Sequence, residues 1–107
     1  MQRPSSTANE PAWSQWLAIR WGGEAEVRLA DGSRCDVMTP STAWEVEWAK
    51  KWKESIAQAL WYSMLSDRAP GVALLLRKKP TEPLSVARCA GVCAKAGVRL
   101  VVINTVS

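Results

Sequence analysis

A chain of 107 residues can bury one hydrophobic core but not two, so a single domain is expected. Its 48% hydrophobic and 22% charged residues are ordinary for a globular fold, and no apolar run approaches the roughly 20 residues that cross a bilayer. A net charge of +4 permits contact with a polyanion. The absence of histidine excludes the usual serine and cysteine hydrolase triads.

The opening, M-Q-R-P-S-S-T-A-N-E-P, lacks the apolar stretch of a signal peptide. It reads as a flexible lead-in over residues 1–8, ahead of a domain over 9–107, with a cytoplasmic setting expected. Asn9 is placed to cap a first helix, with Glu10 and Pro11 in its first turn and Gly22-Gly23 ending it. Trp13, Trp16 and Leu17 recur along it at helical spacing.

Glu24 to Leu29 alternates as a strand with Ala25, Val27 and Leu29 inward. Asp31-Gly32 is a hairpin turn signal, and the next strand runs from Ser33 to Met38. A turn at Pro40-Ser41 leads to a third strand, Ala43 to Glu47. In these two strands Cys35, Val37, Trp44 and Val46 alternate with Arg34, Asp36, Glu45 and Glu47, the pattern of a sheet with two unlike faces. Centring the turn on Pro40-Ser41 sets Asp36 across from Glu45, and Arg34 across from Glu47. Opposed carboxylates repel, so a cation between them is expected, and Mg²⁺ or Mn²⁺, hard ions that take oxygen ligands, would serve.

A long amphipathic helix is expected from Trp48 to Ser66, with Trp48, Trp52, Ile56, Ala59, Leu60 and Ser63 on one side. Lys51, Ser55, Gln58 and Tyr62 form a polar stripe on another. Lys50 lies about 100° and Lys53 about 200° off that stripe, which singles out Lys51. That helix is expected to end near Asp67, broken by Ala69-Pro70-Gly71, ahead of an apolar strand, Val72 to Leu76. Arg77-Lys78-Lys79 makes a basic exit, read as a solvated strand end unless a nucleic-acid backbone lies near. Thr81 is placed to cap a last helix stopped by Gly97, and Val98 to Asn104 closes as a second buried strand. The fold class is therefore α/β, a mixed sheet in the order αβββαβαβ.

Three cysteines with no Cys-x-x-Cys argue for buried free thiols rather than zinc. Seven tryptophans and no phenylalanine suggest that tryptophan fills the aromatic core positions or a dimer interface.

Asp36, the Glu45-Val46-Glu47 run and the Gln58-Ala59-Leu60-Trp61-Tyr62 run together resemble the PD-(D/E)xK nuclease superfamily, especially its RecB-like branch and its small stand-alone phage and bacterial members. The resemblance implies a restriction-endonuclease-like fold and Mg²⁺-dependent hydrolysis of DNA in phage or bacterial DNA processing. It implies metal ligation by Asp36, Glu45 and the Val46 carbonyl, with Glu10 and Glu47 as further candidate ligands. Lys51, Gln58 and Tyr62 would complete the catalytic set. Glu47 stands where the family has lysine. It reads as a partner of Arg34, as an added metal ligand, or as the mark of a protein that binds without cutting. A homodimer would give so small a domain two grooves with which to hold a duplex.

Overall fold

A computed structural model describes residues 1–106; Ser107, the last residue of the expected domain, lies outside them. Helix α1 (Glu10–Trp21) starts where expected, because the Asn9 side chain accepts the Ala12 N–H at 3.0 Å. It ends on Gly22, whose φ of 67° is left-handed backbone that glycine adopts at little cost. Strands β1 (Glu24–Arg28), β2 (Arg34–Met38) and β3 (Thr42–Trp48) form the antiparallel meander. Helix α2 (Trp52–Ser66), strand β4 (Ala69–Leu76), helix α3 (Glu82–Ala96) and strand β5 (Arg99–Asn104) complete the chain. β4 runs parallel to β3, and β5 parallel to β4, giving a five-stranded mixed sheet in the order β1-β2-β3-β4-β5. The expected order αβββαβαβ is present.

The sheet has a core on each face. Trp13, Leu17 and Ala18 of α1 pack against Val37, Trp44, Val46, Trp48, Ala73 and Leu75. On the other face Ile56 and Ala59 of α2 and Cys89 and Cys93 of α3 cover Val72 and Leu74. All three cysteines are free and buried, as expected, and burial pushes the thiols of Cys35 and Cys89 up to about 12. No helix among the described residues is long and apolar enough to cross a membrane.

Several expected boundaries move. The long helix does not begin at Trp48. That residue ends β3, in parallel register with Leu75, and a 3-10 turn (Ala49–Lys51) intervenes before α2. The ladder to β4 and burial of the indole against α1 outweigh the helical periodicity that linked Trp48 to Trp52. The helix ends at Ser66 with Asp67 as its cap, as expected. Ala69-Pro70-Gly71, however, also opens β4, which was expected to start at Val72, and Pro70 sits at the strand start that proline tolerates. Gly71 lets this happen: a Cβ there would lie 2.5 Å from the Trp44 ring and 2.7 Å from the Thr42 methyl.

β5 is an edge strand, with Val101 and Val102 exposed, rather than a strand buried on both faces. Thr81 makes no side-chain cap, and Glu82 in the first turn instead holds the loop before the helix by accepting the Arg77 and Lys79 N–H groups. The segment read as a flexible lead-in is tethered. The Trp13 indole donates to the Ser5 carbonyl at 3.1 Å, the Arg77 Nε to the Ser6 carbonyl at 2.9 Å, and Arg3 to the Asn104 carbonyl.

Candidate acidic site

The hairpin of β1 and β2 turns over between Glu26 and Asp36. Ala25 and Val37 pack toward α1, whereas two residues along each strand Val27 and Cys35 pack toward Tyr62 of α2. Strict alternation would keep each pair on one face, but Cys35 packs away from Val37, Trp44 and Val46, with which it was expected to share one. Glu26 carries a φ of 57°, left-handed backbone that is strained for a glutamate. The change of face occurs where Glu26 and Asp36 oppose one another.

On its other edge β2 leaves β3 at the same level. Their ladder comprises Val37↔Trp44 and Met38↔Ala43, the register expected from the Pro40-Ser41 turn, and goes no further. Neither Asp36 with Glu45 nor Arg34 with Glu47 is a backbone-bonded pair. The Asp36 carboxylate instead substitutes for the missing strand, accepting the Val46 N–H at 2.8 Å. In a strand the carbonyl of a residue points the same way as its N–H, so the Val46 carbonyl faces this opened edge too.

The carboxyls of Asp36 and Glu45 come within hydrogen-bonding reach of each other. Burial, then the shared hydrogen bond with Asp36, then the charges of Asp36 and Glu47 push Glu45 up to about 10. Burial raises Asp36 as well, against the hydrogen bonds from Glu45 and Val46, and the charges of Glu26 and Glu47 add to the rise. Tyr62 is buried with its hydroxyl in reach of Glu45; burial first, and then these carboxylates, drive its phenol upward.

A second carboxyl pair adjoins the first. Glu47 is buried, accepts the Trp48 N–H at 2.9 Å, and comes within hydrogen-bonding reach of Glu10 in the first turn of α1. Burial, the hydrogen bond with Glu47, and the charges of Glu47 and Asp36 push Glu10 up to about 8, with Lys51 pulling the other way. Lys51 therefore stands close enough to act on the cluster, although it belongs to the 3-10 turn and not to the helical stripe on which it was expected. Arg34 is exposed on the far edge of β2, and Glu47 is engaged by Glu10 and its own strand end.

The remaining stripe is split. Ser55 is buried and donates to the Trp52 carbonyl at 2.6 Å, so it is structural. Gln58 is exposed and lines a groove with Ser33, Glu54, Ala57 and Trp61. Glu26 is the acidic neighbour that strand alternation hid. The Asp31-Gly32 turn carried the signal, because the hairpin register places Glu26 opposite Asp36.

These donors are hard oxygens, the kind that suits Mg²⁺ or Mn²⁺. Among the described residues no three acidic, cysteine or histidine side chains converge as a metal-holding group. Mg²⁺ asks for less: it commonly takes one or two carboxylates and completes its shell with water and substrate phosphate. The Asp36–Glu45 pair meets that requirement. Comparison with protein-family models, curated proteins and solved structures returned no match.

Proposed function

We propose that the protein is a metal-dependent nuclease of the PD-(D/E)xK kind acting on DNA in phage or bacterial DNA processing. The observation that carries this reading is the Asp36–Glu45 pair. Two carboxyls from adjacent strands meet where the strands part, in surroundings whose burial pushes Glu45 up to about 10 and raises Asp36 as well. A purely structural role gives no reason to bury such a pair, because replacing it with apolar side chains would remove the repulsion. A site that takes up a dication does give a reason. The order αβββαβαβ, with the acids on the second and third strands and Tyr62 on the following helix, is what a restriction-endonuclease-like core requires.

In this reading Asp36, Glu45 and the Val46 carbonyl hold Mg²⁺ or Mn²⁺, with Glu10 and Glu47 beside them. The ion supplies charge relief at the phosphoryl oxygens and acidifies a water. Asp36 is oriented by the Val46 N–H, and the buried Tyr62 lies beside Glu45. Lys51 brings an ammonium to the cluster that Glu47 does not provide, and would stabilise negative charge gathering on the phosphate. Gln58 is left as a substrate contact outside the catalytic set. The homodimer and the cytoplasmic setting belong to the same proposal.

The test is incubation of the protein with DNA and Mg²⁺ or Mn²⁺. Strand cleavage is expected that stops with chelator and with Asp36→Ala. DNA left intact with both metals would remove the enzymatic reading. Glu47 at the usual lysine position favours a second reading, a nuclease-like module that binds DNA without cutting it. Its signature is DNA affinity that survives both chelator and Asp36→Ala, with no cleavage in either metal.

A further inference from the structure

β3 and β4 end side by side, Trp48 in register with Leu75, and the chain leaving each is basic. Lys50 and Lys51 follow one strand; Arg77, Lys78 and Lys79 follow the other. Between them lies a concavity of about 190 Å³ lined by Trp48, Lys50, Arg77, Lys79, Glu82 and Ser85, among others.

This basic rim is built rather than merely solvated. The Arg77 guanidinium lies 3.4 Å from the centroid of the Trp48 ring, and its Nε donates to the Ser6 carbonyl. Stacking of this kind holds a side chain that would otherwise lose rotamer entropy on meeting a ligand. The loop behind it is clamped as well. The Glu82 carboxylate accepts the Arg77 N–H at 2.8 Å and the Lys79 N–H at 2.9 Å, and Lys78 between them is held at a φ of 57°. A lysine in left-handed backbone costs energy that a free loop would relieve. Glu82 is the acidic member of the lining; its carboxylate is occupied by backbone donors, and three cations outnumber it. Lys50 and Lys79 are exposed and free to close on an anion.

The 3-10 turn connects this concavity to the acidic site. It carries Lys51, which acts on Glu10, and its chain neighbour Lys50, which lines the concavity. We propose that the concavity docks a backbone phosphate of the nucleic-acid strand beside the scissile one, gripped by Lys50, Arg77 and Lys79. The assignment rests on the DNA reading above and adds the path of the strand: across the 3-10 turn, from the acids toward the start of α3.

The experiment measures anisotropy of a short fluorescein-labelled single-stranded oligodeoxynucleotide in chelator across a salt series. It uses the wild type, the double variant Lys50→Ala/Lys79→Ala, and Arg88→Ala/Lys95→Ala as a control of equal charge change on the exposed face of α3. Loss of the grip on that one phosphate is expected to make the plot of log affinity against log salt shallower by about 0.7, with the control unchanged. Equal slopes in all three proteins, or equal losses in both variants, would overturn the docking site. Cleavage by the wild type alongside unchanged binding in the double variant removes this inference and leaves the nuclease. Binding lost in the double variant, with no cleavage under any metal, keeps the docking site and removes the nuclease. No binding at the lowest salt removes the docking site and leaves the nuclease to the cleavage test.

Discussion

Asp36 does two things that a strand residue ordinarily does not. Its side chain replaces a backbone partner for Val46, and its carboxyl shares a buried space with Glu45. Both follow from the parting of β2 and β3, and both have a consequence in pH. Glu45 keeps its proton in the folded state up to about 10, and Glu10 up to about 8, whereas the unfolded chain releases both near the ordinary glutamate value of 4.5. Between those limits the folded state binds more protons, so without metal its stability falls as pH rises from about 4.5 through about 8. Glu45→Gln carries no proton to lose. Calorimetry is expected to show a Tm above wild type for this variant near pH 8 and no gain near pH 4.5, a crossing that a simple packing defect would not produce. The identities of the acids and the register of their turn were legible in the sequence. The kink at Glu26 was not, because nothing in a run of alternating residues shows that a glutamate must adopt a positive φ.

At the scale of elements, the passage from β3 to α2 shows periodicity losing to pairing. Trp48 and Trp52 sit at helical spacing, yet they bury on opposite faces of the sheet because the parallel ladder carries β3 through Trp48. The 3-10 turn that results brings Lys51 to the acids and Lys50 to the basic concavity, an arrangement that a continuous helix would not produce. β4 depends on a similar local condition. Gly71 lies flat against the Trp44 ring, so Gly71→Ala is expected to cost about 1–3 kcal/mol through overpacking, measured by urea unfolding. An unchanged midpoint would show that Trp44 moves aside freely. Caps at Asn9 and Gly22 were readable because they depend on neighbours within one turn. The start of β4 was misread because Ala-Pro-Gly breaks helices wherever it occurs, whereas its entry into a strand depends on a distant tryptophan.

Over the whole molecule, charge is distributed unevenly. Carboxyls gather where the meander parts, and five of the cations follow the adjacent ends of β3 and β4. A dication bound at Asp36 and Glu45 would reverse the repulsion that weakens the fold at high pH. At pH 8 the Tm is expected to rise with added Mg²⁺ or Mn²⁺ beyond the effect of NaCl at equal ionic strength. Asp36→Asn or Glu45→Gln should abolish the difference. Equal responses to both salts in the wild type would show that the folded protein holds no such ion.

The sequence by itself determined the succession of helices and strands, the caps and turns between them, and the residue types available for chemistry, because each depends on neighbours close along the chain. Tertiary structure alone decided that Glu47 meets Glu10 rather than Arg34, that Glu26 adds its charge to Asp36, that β5 lies at an edge, and that Trp48 belongs to a strand. Those outcomes depend on burial and on pairing between segments far apart in sequence, where the energy of a shared core overrides what any short stretch prefers.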